Sequence, residues 1–377
     1  MNEIYLDNAA TTKVYPEVLT AMKDVLINNY GNPSSLHKKG LSAEQSVKAA
    51  RIKIAKAIET KAKNIYFCSG GTEANNLAIK GAARALKRYG KRIITTKIAH
   101  PSVTKSYQDL EKEGFEIKYL PVDKTGKIDL AALKKYLTQD TILVTLLAVN
   151  NELGSIQPLE QVAKLLSDYE NTYFHVDAVQ ALGKIEDLTV AGIDLLTISS
   201  HKIHGPKGIG ALYKSKKTRL KSLFSGSKQE DGLRPGTENV PGIVGFGKAV
   251  ELLEKIDKEK LYQLKANLYQ KIKTELSDFK LNGPTIKQAA PHILNLSFKD
   301  IKGEVLVHSL EQDEIYISTG AACSSKEANS HVLSNLPDTK YKDGTVRISF
   351  SSQNSLKEID FAAKKIIEHV KNLRKIM

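Results

Sequence analysis

Apolar residues in this chain fall into two kinds of run. Short continuous ones, NIYFC (64–68), RIITT (92–96), EIKYLPV (116–122), TILVTLLAV (141–149), TYFHV (172–176) and DLLTIS (194–199), have the length of strands, and most are separated by segments long enough for helices. Continuous apolar strands alternating with helices predict a mainly parallel sheet covered on both faces. Periodic runs come first in the chain: Pro16 to Asn28 reads as a helix, and Leu41 to Ile58 as a long amphipathic one with Val47, Ile54 and Ile58 on one face. The loop GNPSSLHKKG (31–40) feeds the second, and the first dozen residues read as a short strand and a Thr-rich turn. Near Pro241 the pattern changes to one long charged helix, about Gly242 to Phe279, followed by short strands and helices of a smaller α+β domain.

Composition narrows the class. At 377 residues, with 41% hydrophobic and 26% charged residues, the chain is an ordinary soluble globular protein of about two to three domains. No segment approaches the roughly 18 consecutive apolar residues of a membrane span. MNEIYLDNAATT lacks a basic region followed by an apolar one, so a cytoplasmic protein without a signal peptide is expected. The net charge of +14 raises a nucleic-acid reading. Its lysines, however, alternate with glutamates, as in ELLEKIDKEKLYQLKANLYQKIK, and form no basic run, so direct nucleic-acid binding is not expected. Cys68 and Cys323 stand 255 positions apart without a CxxC, which supports neither a disulfide framework nor a metal site.

Candidate chemistry centres on SSHKIHGPKGIGALY (199–213), where Lys202 ends an apolar run between a hydroxyl and an imidazole. Partial burial and nearby positive charge favour a neutral, nucleophilic amine suited to a Schiff base. Gly205, Gly208 and Gly210 around Pro206 form a tight loop into a further short strand, Ile209 to Tyr213. CSGGTEANN joins a strand end to a helix start at Gly71 and Thr72, either a phosphate cradle or a glycine turn capping an ordinary helix. Asp177 follows a buried strand, where open α/β sheets bind ligands; it serves either a ligand or a helix N-terminus, and Gln180 lies one turn on. His100 occupies a strand-to-helix loop, STGAACSSKEANS surrounds Cys323 with small residues that leave a thiol accessible, and Arg347 in TVRISF asks for an anion, either a substrate carboxylate or a structural acid. Cys68, inside IYFC, reads as packing.

In order and spacing, YLDNAATT, GNPSSLH, SGGTEANNLAIKG, VNNELGSIQP, HVDAVQALGK, SSHKIHGPKGIGALY, LRPGTENV, the Cys323 loop and VRISF resemble the cysteine desulfurases of the NifS/IscS type, pyridoxal-phosphate enzymes of the class-V aminotransferases. The resemblance implies fold type I, with a large cofactor-binding domain over 15–250 and a small domain made of 1–14 and 251–377 that carries the cysteine loop. It implies that Lys202 forms the Schiff base with pyridoxal 5'-phosphate, Asp177 pairs with the ring nitrogen, Gln180 bonds the ring hydroxyl and His100 stacks on the ring. Phosphate contacts would come from Gly71, Thr72, Ser199 and His201, with Thr237 donated by the other subunit of a homodimer. Asn32, Asn151 and Arg347 would orient L-cysteine, and Cys323 would take its sulfur as a persulfide for an acceptor protein in iron–sulfur cluster assembly or tRNA thiolation. A selenocysteine lyase or an aminotransferase of the same fold is an alternative, and a non-catalytic basic nucleic-acid-binding protein one of another class. Four positions depart from the family pattern. Ser227 and Lys228 replace glycines, Asp231 replaces a basic residue, and Ala321 replaces a serine two positions before the nucleophile.

Overall fold

Every residue of Thr141–Leu147 is buried, which requires a strand covered on both faces, and the sheet around it explains how. The computed structural model describes residues 3–186, 188–319, 330–337 and 340–376. In chain order the elements are β1 (Ile4–Tyr5), α1 (Pro16–Asn28), α2 (Lys38–Ala57), β2 (Ile65–Cys68), α3 (Gly71–Leu86), β3 (Arg92–Thr96), α4 (Pro101–Lys112), β4 (Glu116–Leu120), α5 (Leu130–Tyr136), β5 (Thr141–Leu147), α6 (Leu159–Leu166), β6 (Tyr173–Asp177), β7 (Leu195–Ser199) and β8 (Gly210–Lys214). They continue with α7 (Val240–Glu251), α8 (Lys258–Glu275), β9 (Phe279–Leu281), β10 (Ile293–Phe298), α9 (Gly303–Glu311), β11 (Ile315–Tyr316), α10 (His331–Ser334), β12 (Thr345–Ser349) and α11 (Leu356–Ile376).

Seven strands form one sheet in the order β2-β8-β7-β6-β5-β3-β4. Only β8 runs against its neighbours β2 and β7. The carboxyl ends of β2, β3, β5, β6 and β7 therefore open on the same side. Alternate residues of each strand enter different cores: Ile93, Leu143 and Leu147 pack with Leu77 and Val103 of α3 and α4, while Ile94, Val144 and Leu146 join Ile54 of α2, Val162 of α6 and Phe246 of α7. Each fully buried Leu, Ile or Phe contributes roughly 1.5–3 kcal/mol of transfer free energy, so the two cores lock the sheet's register.

The C-terminal part forms its own antiparallel sheet, β12-β10-β9, with α8, α9 and α11 packed together around it. There β1 pairs in parallel with β11, and Asp7 bridges to Ser349. The chain then crosses to the large sheet, where Thr12 N–H donates to the His201 carbonyl at 2.9 Å. The long charged helix expected over 242–279 is two helices. A single 3-10 turn, Leu253–Lys255, follows α7, and Asp257 caps α8 by accepting from Lys260 N–H at 2.9 Å. Helix α2 starts at Lys38 rather than Leu41 because the His37 ring caps it, accepting from Gly40 N–H.

Candidate active site

Five loops leave the carboxyl edge of the large sheet and converge, with residues 9 and 10, on one cavity of about 280 Å³. Gly71, Thr72, His100, Asn151, Asp177, Gln180, Ser199, His201, Lys202 and Arg347, all singled out from sequence, line it. Asn32 and Thr237 do not; both are exposed, and Thr237 borders a separate cavity of about 220 Å³ beside Cys68 and Arg234. Cys323 and Ala321 lie outside the described residues. Cys68 is buried at the end of β2, and burial pushes its thiol well above the usual range, so it is not a ready nucleophile.

Lys202 ends the 3-10 turn that follows β7, and its Nζ donates to the carbonyls of Ala9 and Ala10, each at 2.6 Å. On the next strand, Asp177 is buried and each of its oxygens accepts a hydrogen bond, Oδ1 from Val179 N–H at 3.0 Å and Oδ2 from Asn75 Nδ2 at 2.7 Å. Asn75 was missed in the sequence, although its place four residues into the helix that Gly71 opens puts it over the same cavity. His100 caps α4: its Nδ1 accepts from Ser102 N–H at 3.1 Å, which leaves the ring proton on Nε2. Burial lowers the His100 pKa, with Asp177 pulling it up and Lys202 pushing it down. His201 is held neutral more strongly, at about 3, by burial and then by Lys202, Lys207 and Lys184. Arg347, only 3% exposed, donates from Nη2 to Asp7 Oδ1 at 2.9 Å and from Nη1 to the Asn151 carbonyl at 3.0 Å.

What the cavity is built to hold follows from what it leaves unsatisfied. Asn75 Oδ1, Asn151 Oδ1, Ser199 Oγ and Arg347 Nε are buried without a hydrogen-bond partner. Orphaned polar atoms are costly in a folded protein, and four on one cavity wall mark the place of a polar ligand. Helix α3 begins without a side-chain cap, and a Cβ at Gly71 would approach Val179 Cγ2 to 2.8 Å, so glycine keeps the helix start clear for an anion. An amine, a buried carboxylate and an uncapped helix start suit a phosphorylated aldehyde cofactor with a basic ring nitrogen. Among the described residues no group of three or more His, Cys, Asp or Glu could hold a metal ion, and no helix is long and apolar enough to cross a membrane.

Residues 4–361 match the family model described as aminotransferase class V. The chain belongs to the class-V aminotransferases. Within this family it is similar to the cysteine desulfurase IscS of Dictyoglomus turgidum, 44% identical over 381 residues that cover 99% of this chain and 96% of that protein. Among solved structures it is similar to a NifS-like protein, with a TM-score of 0.90 and 36% identity over 98% of this chain and 100% of the other. A second is SspA in complex with cysteine, with a TM-score of 0.81 and 34% identity over 93% of this chain and 100% of that one. The class-V fold thus accounts for the mostly parallel sheet.

Proposed function

We propose that this chain is a pyridoxal-phosphate-dependent cysteine desulfurase that works as a cytoplasmic homodimer, its large domain spanning 15–250 and its small domain 1–14 with 251–377. The observation that carries the reading is the Lys202 amine at a cavity with four unpartnered polar atoms on its wall, in a chain 44% identical to a cysteine desulfurase. Bound pyridoxal phosphate supplies an electrophilic carbon for amines and an electron sink for the substrate's α-carbon. Gly71, Thr72, Ser199 and His201 would hold its phosphate, with Thr237 of a second subunit; Asp177 would keep a proton on the ring nitrogen, Gln180 would donate to the ring oxygen and His100 would cover the ring. Asn151 and Arg347 would orient the L-cysteine carboxylate, for which Arg347 Nε is still available, whereas Asn32, exposed and outside this cavity, does not reach it within one chain. Lys202 Nζ takes the α-proton. Cys323 attacks the substrate sulfur, so that L-cysteine and Cys323–SH give L-alanine and Cys323–S–SH: a C–S bond breaks, an S–S bond forms, and hydrogens balance. An acceptor protein in iron–sulfur cluster assembly or tRNA thiolation would then take the persulfide.

The test is alanine formation from L-cysteine by the purified protein. Lys202→Ala abolishes it, whereas Cys323→Ala keeps the cofactor's colour and forms no protein persulfide. Turnover near wild type in Lys202→Ala, or persulfide on Cys68, overturns the assignment. Mixing Lys202→Ala and Thr237→Ala chains, each impaired alone, tests the shared site, because one site of the mixed dimer then carries neither lesion. No recovery after subunit exchange rules it out.

A further inference from the structure

Behind the cavity wall lies a group of polar side chains outside the roles above. Lys184 is 5% exposed and His292, at the entrance to β10, is fully buried. Both reach the same atom: Gln180 Oε1 lies 3.4 Å from Lys184 Nζ and 3.1 Å from His292 Nε2. On its other side, Gln180 Nε2 donates to the Ala9 carbonyl at 2.8 Å, the same carbonyl that accepts from Lys202. These contacts leave one consistent assignment. An amide oxygen only accepts, so His292 Nε2 carries the ring proton and Nδ1 is bare, which matches the lack of a partner at Nδ1. A flipped amide would set its oxygen 2.8 Å from the Ala9 carbonyl, two acceptors face to face, so that carbonyl fixes the orientation and the His292 tautomer follows from it.

We infer that Lys184 and His292 are positioning residues that lock the Gln180 amide with its NH2 toward the cavity, making Gln180 an obligate donor to an oxygen of the bound cofactor. One Nε2 hydrogen goes to Ala9, which leaves the second for a ligand in the cavity that Gln180 lines. A buried amine facing Lys202 and Arg347 is otherwise an unfavourable thing to place here, and burial followed by those two charges pushes Lys184 down to about 7. His201, His204 and His292 also feel its charge. The inference rests on the function proposed above.

The test uses the holoenzyme and two readouts besides turnover: the dissociation constant for pyridoxal phosphate, and the midpoint pH at which the bound cofactor's visible absorption changes. Lys184→Met and His292→Leu each weaken cofactor binding about 3- to 10-fold, the worth of one hydrogen bond, and move the midpoint. His292→Gln, which keeps an N–H donor, restores both. In a Gln180→Ala background Lys184→Met adds nothing, because the group it positions is gone. If Lys184→Met costs the same fold with and without Gln180, or moves neither readout, the inference is overturned. Should Lys184→Met fail to fold by circular dichroism, the contrast between His292→Leu and His292→Gln decides. A wild-type chain that takes up no pyridoxal phosphate brings down the functional reading instead, and this inference with it.

Discussion

The candidate active site is smaller than a second hollow among the described residues. A groove of about 740 Å³ runs between α2 and residues 227–238, more than twice the 280 Å³ of the Lys202 cavity. The two differ in how their polar groups are satisfied. In the groove, Glu230 accepts two hydrogen bonds from Arg51, at 2.6 and 2.8 Å, and a third from Phe67 N–H at 2.9 Å. Arg51 also reaches the Ile65 carbonyl and covers the Phe67 ring, while Asp231 lies 3.4 Å from the Tyr66 hydroxyl. Glu238 Oε2 is the one orphaned atom among the groove's lining, against four in the cavity. Volume marks where chains or solvent fit; several unsatisfied buried atoms gathered on one cavity wall mark where a ligand has been left room. Of the departures at 227–231, Asp231 sits next to the clamp of Arg51 on Glu230, and Glu230 and Asp231 both hold left-handed φ, of 49° and 54°.

The sharpest way to break that contrast is Arg51→Ala. Glu230, with a side chain only 3% exposed, would be left buried and charged, at a cost of about 3–5 kcal/mol. Urea unfolding of the apo protein measures it. A loss below 1 kcal/mol would make the groove no more satisfied than the cavity.

The same distinction separates two buried lysines. Lys265 Nζ donates to the Ala289 and Ala290 carbonyls, at 3.2 and 2.8 Å, and lies 4.7 Å from the Tyr262 ring centre, while Lys184 bonds a side chain of the cavity wall. Burial pushes both amines down to about 7. A lysine lowered on folding leaves the unfolded chain binding more protons between pH 7 and its free value near 10.4, so stability rises with pH across that window. Each contributes a slope approaching 1.4 kcal/mol per pH unit. Glu152, raised to about 7 by burial, acts with the opposite sign between about 4.5 and 7 and leaves the window clear. Lys265→Met should remove one lysine's share of the slope, read from urea unfolding at pH 7, 8 and 9, without changing cofactor affinity. An unchanged slope would mean that Lys265 keeps its charge in the folded state.

Much of this was readable beforehand, for identifiable reasons. Strands buried on both faces are continuous apolar runs, so β3 coincides with RIITT and β5, β6 and β7 fall within a few residues of their expected bounds. Pro16 at the first helical position set α1 correctly. The break between α7 and α8 was hidden because Asp257, the new cap, sits in KIDKEK, where an acidic residue looks like part of a solvated helix face. Asn75 was hidden in the same way. Lys184 and His292 are 108 positions apart, and only the docking of β10 behind Gln180 brings them to one atom, which no local pattern records.

The smallest expected effect on stability is the most informative about the cavity. Ser199 Oγ is buried at the end of β7 with no partner. An unsatisfied buried hydroxyl costs about 1–3 kcal/mol, so deleting it recovers part of that penalty while opening a gap the size of one oxygen. Ser199→Ala should therefore leave the apo protein's stability within about 1 kcal/mol of wild type, in either direction. Cofactor affinity should respond differently, because a hydrogen bond to a charged phosphate is worth about 1.5–3 kcal/mol, or roughly 10- to 100-fold in the dissociation constant. Unfolding of the apo protein and equilibrium dialysis against pyridoxal phosphate separate the two. If the apo variant loses more than 2 kcal/mol and its affinity is untouched, Ser199 belongs with Arg51 as a fold-holding group, and the cavity's orphaned atoms lose their meaning as the outline of a ligand.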